Sequence, residues 1–325
     1  MNNLYNINYR PVSFKSFLGD YISDKILREK EGLEIEVRLG KFSNKEKISL
    51  SDKQRDISYQ GPLLVNSNFQ IPQNLTKSSL SYLNKTKYFF NPSISEKTFF
   101  GINSTLEKSL GEPVSELTVD FGVSGERYTW IVKSSEFFNT SKINKENLDV
   151  LHQGLEYRIS TSVESKKKLN PSEILKIFSK EKPNIIRIKA RKIYRFQFFS
   201  VMITNVFSSS YSDNIKTIVD LIEKEDNEDK ATKIISVARN NDFEQIYEIE
   251  NEIVDNQYLI NILKNEGYKS FNLCLDRFFR NSEILYFWNS VKIEEKYTKI
   301  GKDLDVFLGK RPVIGDYIFK LLSNE

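Results

Sequence analysis

Three glutamates occupy alternate positions in one short segment of the chain. The segment EQIYEIENEIV, residues 244–254, carries them as Glu248, Glu250 and Glu252. If the segment is a β-strand, all three side chains lie on one face, because side chains alternate with a period of two. Three adjacent carboxylates repel one another unless a cation lies among them. Because carboxylate oxygens suit Mg²⁺ and Mn²⁺, the segment indicates one wall of a divalent-cation site.

Two further segments carry clustered charge on a single face when they are read as strands. That face is mostly acidic in residues 33–40 and basic in residues 185–196. The side chains are Glu34, Glu36 and Arg38 in the first segment and Arg187, Lys189 and Arg191 in the second. Lysine and arginine bind phosphate oxygens. Carboxylates, a metal ion and cations on facing walls are the groups that metal-assisted phosphoryl transfer to water requires.

An ordinary sheet with one buried face and one solvated face gives the same alternation of polar and apolar residues. Such a protein would have no site, and a metal ion would not raise its thermal stability. The separation of the charges by sign favours a different arrangement, since like charges two residues apart repel unless a ligand compensates them. We therefore expect a closed barrel with its polar strand faces inward and its apolar faces outward, covered by helices.

The elements that must position these residues follow from hydrophobic spacing and turn residues. Helices are predicted over 13–30, with Ser13 as its cap, over 213–240 as a pair of helices, and over 256–290. A strand is predicted at 33–42. A series of short strands, separated by Gly, Asn, Ser and Pro, is predicted over most of 97–206, and KTFFGI at 97–102 is the first of them. Residues 43–75 indicate a loop, and residues 75–90 fit either a helix or a strand.

Composition excludes several classes of site. The 325 residues carry a formal net charge of only +4, so any anion site must be local. The single Cys274 rules out an internal disulfide, and the single His152 rules out a multi-histidine metal cluster. Neither has a partner motif, so both are expected to be ordinary residues. No window approaches the ~20 apolar residues of a membrane span, and a nuclear or cytoplasmic location is expected.

The three charged segments, in this order, resemble the metal-dependent RNA 5′-triphosphatases of the tunnel family. These are the fungal, protozoan and viral mRNA-capping enzymes of the triphosphate tunnel metalloenzyme superfamily. The resemblance covers residues 33–254 and implies an α+β fold: a closed antiparallel eight-stranded β-barrel with a polar interior, wrapped by helices. It implies hydrolysis of the γ-phosphate of triphosphate-ended RNA to leave a diphosphate end. A single domain over 1–325 is expected, with a helical insert at 213–240 and a C-terminal helical region at 256–325.

The resemblance also implies roles for individual residues. The ligands of Mn²⁺ or Mg²⁺ would be Glu34, Glu36 and Glu252. The phosphate-binding residues would be Arg127 in ERYTW together with Lys189 and Arg191. Water would be oriented or deprotonated by Glu164 in YRISTSVE and by Glu250, with Glu248 in support.

Four other residues take less central places in this prediction. Arg38 and Arg158 also face inward, where each would bind phosphate or pair with an acid, and pairing is favoured because inward charges need partners. Asp120 in LTVDFG is a weaker candidate for a supporting carboxylate. Tyr128 and Trp130 fall on the apolar face and are expected to pack.

One strand departs from the family pattern. The family often has an Arg-x-Asp-x-Thr strand after the Lys-x-Arg strand, whereas this chain has Ser200, Met202 and Thr204 there. Only the threonine remains, and Arg195 is a candidate substitute for the arginine. The change keeps open a catalytically degenerate tunnel that binds RNA ends or a capping partner.

An alternative hypothesis keeps the tunnel fold but assigns a different substrate. Small tunnel enzymes with Glu-x-Glu-x-Lys, close to Glu34-x-Glu36-x-Arg38 here, act on inorganic or thiamine triphosphate or make cyclic AMP. The triple-glutamate strand and the larger size favour the RNA branch. The expected partners are triphosphate-ended RNA and an RNA guanylyltransferase, in trans or on a following domain, because no Lys-x-Asp-Gly stretch occurs. No membrane partner is expected, and a homodimer is left open.

Overall fold

The computed structural model of the protein describes residues 14–28, 32–42, 63–67, 90–152, 155–222 and 230–290. Its strands are β1 (Leu33–Leu39), β2 (Lys41–Phe42), β3 (Leu63–Ser67), β4 (Phe90–Asn91), β5 (Val114–Val123), β6 (Glu126–Ile131), β7 (Glu136–His152), β8 (Leu155–Leu169), β9 (Ile185–Arg195), β10 (Phe199–Ser209) and β11 (Glu244–Ile253). Its helices are α1 (Phe14–Arg28), α2 (Glu96–Leu110), α3 (Pro171–Lys180), α4 (Ser212–Ile222), α5 (Lys230–Asn240), α6 (Asn256–Asn265) and α7 (Tyr268–Ser290).

Eight strands close into an antiparallel barrel. Their order around the barrel is β7-β6-β5-β9-β10-β11-β1-β8, and β8 pairs with β7 to complete the ring. The β3 strand pairs with the second half of β7, and β2 and β4 form a separate two-stranded ribbon. The predicted α+β fold with a closed eight-stranded antiparallel barrel is therefore confirmed.

Strand register decides which residues share the inside of the barrel. Glu36 lies opposite Glu252 and Arg38 opposite Glu250 in the β1–β11 pair. The other edge of β11 pairs with β10, where Thr204 lies opposite Glu248. Thr204 also lies opposite Arg191 of the basic strand β9. Residues that face one another across an antiparallel pair lie on the same side of the sheet. The charged faces predicted separately from the sequence therefore belong to one continuous surface, the interior.

The outer surface of the barrel is apolar and is covered by helices, as predicted. Helices α1, α2, α6 and α7 pack over β1, β10 and β11, where Ile35, Ile249 and Phe271 are fully buried. Helices α3, α4 and α5 pack over β5, β6 and β9 around Trp130 and Ile188. This arrangement buries apolar surface outside the barrel and leaves the interior to polar side chains.

The aromatic and polar exceptions on the outer face behave as packing groups. Tyr128 and Trp130 lie in the apolar cluster, which confirms their predicted packing role. Asn251, between two glutamates of β11, points outward and its Nδ2 donates to the carbonyl of Phe278 at 3.0 Å. Helix α7 is thereby tied to the strand that carries the three glutamates.

The prediction of a strand at 97–102 is wrong, because these residues lie inside α2. The hydroxyl of Ser95 accepts a hydrogen bond from the Thr98 N–H and caps the helix. The buried residues Phe99, Ile102 and Leu106 recur at helical spacing, which outweighs the local β-propensity.

Helix α3 and strand β7 were not predicted from the sequence. Helix α3 begins with a capping box in which Asn170 and Glu173 each accept the other's backbone N–H, at 2.9 and 2.8 Å. Strand β7 has a bulge between Ile143 and Glu146, so its side chains lose the period of two by which strands are recognised.

Several predicted boundaries are also corrected. The strand at 33–42 breaks at Gly40, where an added Cβ would lie 2.3 Å from the carbonyl oxygen of Asn91. The loop at 43–75 contains β3, the strand after 185 ends at Arg195, and the helical region 256–290 divides at Gly267. Helices α1, α4 and α5 confirm their predictions. The described residues do not include Ser13, 75–89, 223–229 or the tail 291–325.

Candidate active site inside the barrel

Paired strands β1 and β11 bring four carboxylates together in the barrel interior. Glu36 and Glu250 are buried, with 3% and 6% of their surface exposed. Burial raises the pKa of Glu36. Burial, with repulsion from Glu34, Glu250 and Glu36, raises the pKa of Glu252 to about 8. The four acids therefore lie close enough for their negative charges to repel one another.

Two cations of the chain lie among these acids. The guanidinium of Arg38 bridges Glu36 at 3.0 Å and Glu250 at 2.8 Å. Although burial opposes it, Arg38 lowers the pKa of Glu250. Lys142 of β7 pairs with Glu34. In the described residues no ion pair is found for Glu252, whose pKa is raised.

The basic strand β9 presents three cations, and each has an acidic partner. Arg187 lies 3.1 Å from Glu248 and Lys189 lies 2.5 Å from Asp120. Arg191 lies 3.0 Å from Glu116 and donates to Thr118 at 2.9 Å. These pairs hold the cations in position on one wall.

The pair Lys189–Asp120 is the most enclosed of the three. Burial lowers the pKa of Lys189, since an ammonium loses its hydration there. Burial works against the charge of Asp120 as well, yet Lys189 and the hydroxyl of Thr129 hold the pKa of Asp120 at about 2. Asp120, the weaker candidate of the sequence reading, is thus a fixed anion beside a predicted phosphate-binding lysine.

Glu164 lies between the basic wall and the acid cluster. Its carboxylate is 2.9 Å from Arg127 of β6 and 2.7 Å from Lys166, and Lys142 approaches to 4.0 Å. Although burial opposes the charge, the hydrogen bond from Lys166 and the neighbouring cations lower the pKa of Glu164. The structure therefore brings Arg127 and Glu164 together.

Arg158 is held by a different acid from the others. Its Nε and Nη2 donate to the two oxygens of Asp149 at 2.6 and 2.9 Å, and its guanidinium lies 4.7 Å from the centroid of the Phe90 ring. Asp149 is 1% exposed. Both Arg38 and Arg158 therefore make the acid pairs that the sequence reading favoured for them.

Strand β10 lacks the Arg and Asp of the family's Arg-x-Asp-x-Thr pattern, so part of the interior is uncharged. Ser200 and Met202 lie opposite Glu252 and Glu250, and Arg195 is opposite Ser200 at an exposed strand end. Further along, Thr204 lies opposite Arg191. Within the described residues, Thr204 Oγ1 and Arg191 Nε are buried and have no hydrogen-bond partner. Since buried polar atoms normally have partners, these two atoms mark a place for a ligand oxygen.

The sequence reading missed several interior residues. Lys142 and Asp149 belong to β7, the strand that was not predicted, as does Lys145, whose side chain is exposed at the bulge, and Glu116 is the third residue of β5. The lysines occur in SKINKEN, where the bulge removes the alternation. The only available signal was the length of chain between β6 and β8, which leaves room for one more strand.

The donor set suits a hard divalent cation, because it offers several carboxylates from two paired strands. In the part of the chain that is described, no three acidic, histidine or cysteine side chains surround one common point. Glu34 is turned to Lys142 and Glu36 to Arg38. Burial and the neighbouring acids raise the pKa of Glu252, and a bound cation would stabilise its charged form. The residues therefore fit such an ion by chemistry.

Comparison of sequences finds no matching family and no matching curated relative. Among the described helices, none combines the length and the apolar character that crossing a membrane requires. Comparison of structures finds the Pct1 RNA triphosphatase of S. pombe in complex with the Spt5 CTD, at 13% identity and a TM-score of 0.56, covering 88% of this chain and 98% of that chain. The structure of Pct1 without that partner gives 14% identity and a TM-score of 0.55 with the same coverage. The chain therefore has the triphosphate tunnel fold.

Proposed function

We propose that this protein is a metal-dependent RNA 5′-triphosphatase of the mRNA-capping type, which hydrolyses the γ-phosphate of triphosphate-ended RNA. One observation carries the proposal. The acids of β1 and β11 and the cations of β6 and β9 line the same interior, although they are far apart in sequence. This places an acid cluster suited to a metal ion and a set of phosphate-binding cations within one enclosure.

The phosphates are held by Arg127, Lys189 and Arg191. Each now pairs with a carboxylate and would exchange it for a phosphate oxygen when the substrate enters. The buried, unpartnered Arg191 Nε and Thr204 Oγ1 supply further donors to that oxygen. Low exposure strengthens such contacts, because water no longer competes for them.

Glu34, Glu36 and Glu252 are the proposed ligands of Mn²⁺ or Mg²⁺. A divalent cation held there would neutralise charge on the transferring phosphoryl group. The chain contributes the ligand set, and Ser162 helps to orient it by donating to Glu34 Oε2 at 3.0 Å. The nearby Arg38 and the pair Arg158–Asp149 keep the surrounding strands and acids in place.

Water for the attack is oriented by Glu164 and Glu250, with Glu248 in support. The pKa values of Glu164 and Glu250 are lowered by neighbouring cations, so both side chains are ionised and accept hydrogen bonds at neutral pH. A carboxylate of low pKa is a weak base, so orientation of water is their main contribution. Glu248 is fixed by Arg187.

The test is release of γ-phosphate from RNA carrying a labelled 5′-triphosphate, with and without Mn²⁺. The wild-type protein is expected to release phosphate only with the metal ion, and Glu34→Gln and Glu252→Gln to lose nearly all activity while remaining folded. Glu107→Gln is the matched control, because Glu107 pairs with Lys192 outside the barrel. Wild-type rates in both tunnel variants would refute the site.

A second substrate class is separated by the same assay. Free tripolyphosphate as the preferred substrate would assign the protein to the inorganic or nucleoside triphosphatases. The uncharged positions Ser200 and Met202 on β10 favour a third function, a tunnel that binds RNA ends or a capping partner without hydrolysis. Binding of triphosphate-ended RNA with no metal-dependent phosphate release would support that alternative. For the proposed enzyme, an RNA guanylyltransferase acts on the diphosphate end.

A further inference from the structure

Lys142 lies just before the bulge in β7 and faces the acid cluster. Lys142 lies opposite Glu164 of β8, and after the bulge Glu146 faces outward instead. There Glu146 accepts hydrogen bonds from Tyr21 and from Lys25 of α1, the latter at 3.0 Å. Asn144 within the bulge has a φ of +52°. The bulge is therefore held from outside by α1, next to the lysine that faces the interior.

The ammonium of Lys142 lies at the junction of two proposed functional groups. It contacts Glu34, a proposed metal ligand, and lies 4.0 Å from Glu164, which faces the proposed phosphate site. The Lys142 side chain is only 17% exposed. Its charge opposes the rise in the pKa values of Glu36 and Glu252 and adds to the lowering of the pKa of Glu250, so it acts on the acid cluster as a whole.

We propose that Lys142 is a built-in counter-ion that occupies Glu34 when no metal ion is bound, leaves it when a divalent cation binds, and then contacts the substrate phosphates. The inference rests on the proposed function, in which Glu34 is a metal ligand. Glu34 Oε2 already accepts from Ser162, so a metal ion at that oxygen must compete with the ammonium. The released ammonium stays beside Glu164 and Arg127, where the phosphates are expected.

Lys145 provides a matched comparison. It lies on the same bulge, and burial together with Arg38 lowers its pKa, so it feels the same group of charges. In the described residues, however, no ion pair joins Lys145 to an acid. Removing Lys145 changes the local charge by the same amount as removing Lys142 but frees no carboxylate oxygen.

The experiment is a titration of the substrate-free protein with Mn²⁺ by calorimetry, and by thermal unfolding as a second readout. Lys142→Met should bind Mn²⁺ about tenfold more tightly than the wild type. A like charge a few ångströms away shifts the pKa of a group by roughly one unit or more, and the same repulsion weakens the binding of a cation by about tenfold. Lys145→Met should change the affinity by about threefold or less. Lys142→Arg keeps the charge and should bind no more tightly than the wild type, which also tests the inference if the methionine variant does not fold.

A non-hydrolysable methylene-bridged triphosphate tests the second half of the inference. With Mn²⁺ present, Lys142→Met should bind this probe about tenfold more weakly than the wild type, because a phosphate contact is lost. Equal Mn²⁺ affinities of Lys142→Met and wild type, equal gains in Lys142→Met and Lys145→Met, or unchanged probe binding would each overturn the inference. If the wild type itself binds no Mn²⁺, the proposed function fails. If the wild type binds Mn²⁺ and hydrolyses RNA triphosphate but one of these contrary outcomes is observed, only the role of Lys142 is refuted.

Discussion

Replacing Asp120 by asparagine isolates the most enclosed ion pair of the tunnel. The side chains of Lys189 and Asp120 are 11% and 8% exposed, and their charged atoms lie 2.5 Å apart. Removing one partner of a buried pair costs about 3–5 kcal/mol, because the other charge is left without compensation. We expect the free energy of unfolding of Asp120→Asn to be about 3 kcal/mol lower at pH 7, which is the lower end of that range. The cost is limited because Lys189 can lose its proton and because the asparagine amide oxygen can still accept a hydrogen bond from Thr129.

The loss should depend on pH in a defined direction. The pKa of Asp120 falls from its ordinary value of 3.8 to about 2 in the folded protein. A depressed carboxyl pKa stabilises the fold above the unfolded pKa, and this stabilisation disappears as pH falls through the folded pKa. The shift corresponds to about 2.5 kcal/mol, lost between about pH 4 and pH 2. Wild type and Asp120→Asn should therefore converge in stability over this interval.

Urea unfolding followed by circular dichroism measures both effects. A second variant, Asp120→Asn with Lys189→Met, should recover part of the lost stability at pH 7, since it removes the stranded ammonium. A single-variant loss below about 1 kcal/mol, with no recovery in the double variant, would show that the pair is solvated and open. A loss that does not change between pH 7 and pH 2 would contradict the assigned pKa.

Three further substitutions test other parts of the structure. Asp149→Asn should lower the free energy of unfolding in urea by about 2 kcal/mol, because Arg158 loses its bidentate partner but stays 26% exposed. The KM for triphosphate RNA should not change. A change of the KM in either direction would instead make Arg158 a phosphate ligand. Gly40→Ala should cost about 1–3 kcal/mol, because its Cβ would meet the Asn91 carbonyl oxygen at 2.3 Å, and an unchanged midpoint of unfolding would refute that contact. Asn251→Ala should lower the free energy of unfolding by about 1–2 kcal/mol, because it removes the hydrogen bond to Phe278 at 3.0 Å. Its Mn²⁺ affinity should not change, and a change would show that α7 positions the glutamates.

The barrel could be predicted from sequence because its charge pattern is regular. In β1, in the segment 187–191 of β9 and in the segment 248–252 of β11, charged residues recur at every second position, so both the strand and its inward face could be read. Where alternation fails, the prediction failed as well. The apolar residues of 97–102 fit a strand locally, and only the cap at Ser95 and the packing of Leu106 identify a helix.

The partners of the interior charges could not be predicted in the same way. Which acid meets which base depends on the register and closure of the barrel, as the pair Lys189–Asp120 shows across β9 and β5. Lys142 belongs to β7, whose bulge leaves no sequence signature apart from broken alternation. The sequence therefore predicted the residue types of the site and the strands that carry them, while the pairings emerged only from the three-dimensional structure.

These pairings determine how the tunnel can bind an anion. Arg127, Lys189 and Arg191 each have a carboxylate partner, so a phosphate must compete with an acid of the protein itself. The competition weakens when a divalent cation neutralises nearby carboxylates, and the cation in turn gains from phosphate oxygens as ligands. Each ligand should therefore raise the affinity of the other by the same factor, as linkage requires. A tunnel with this many internal ion pairs would then hold triphosphate weakly without metal and tightly with it, which makes hydrolysis depend on both together.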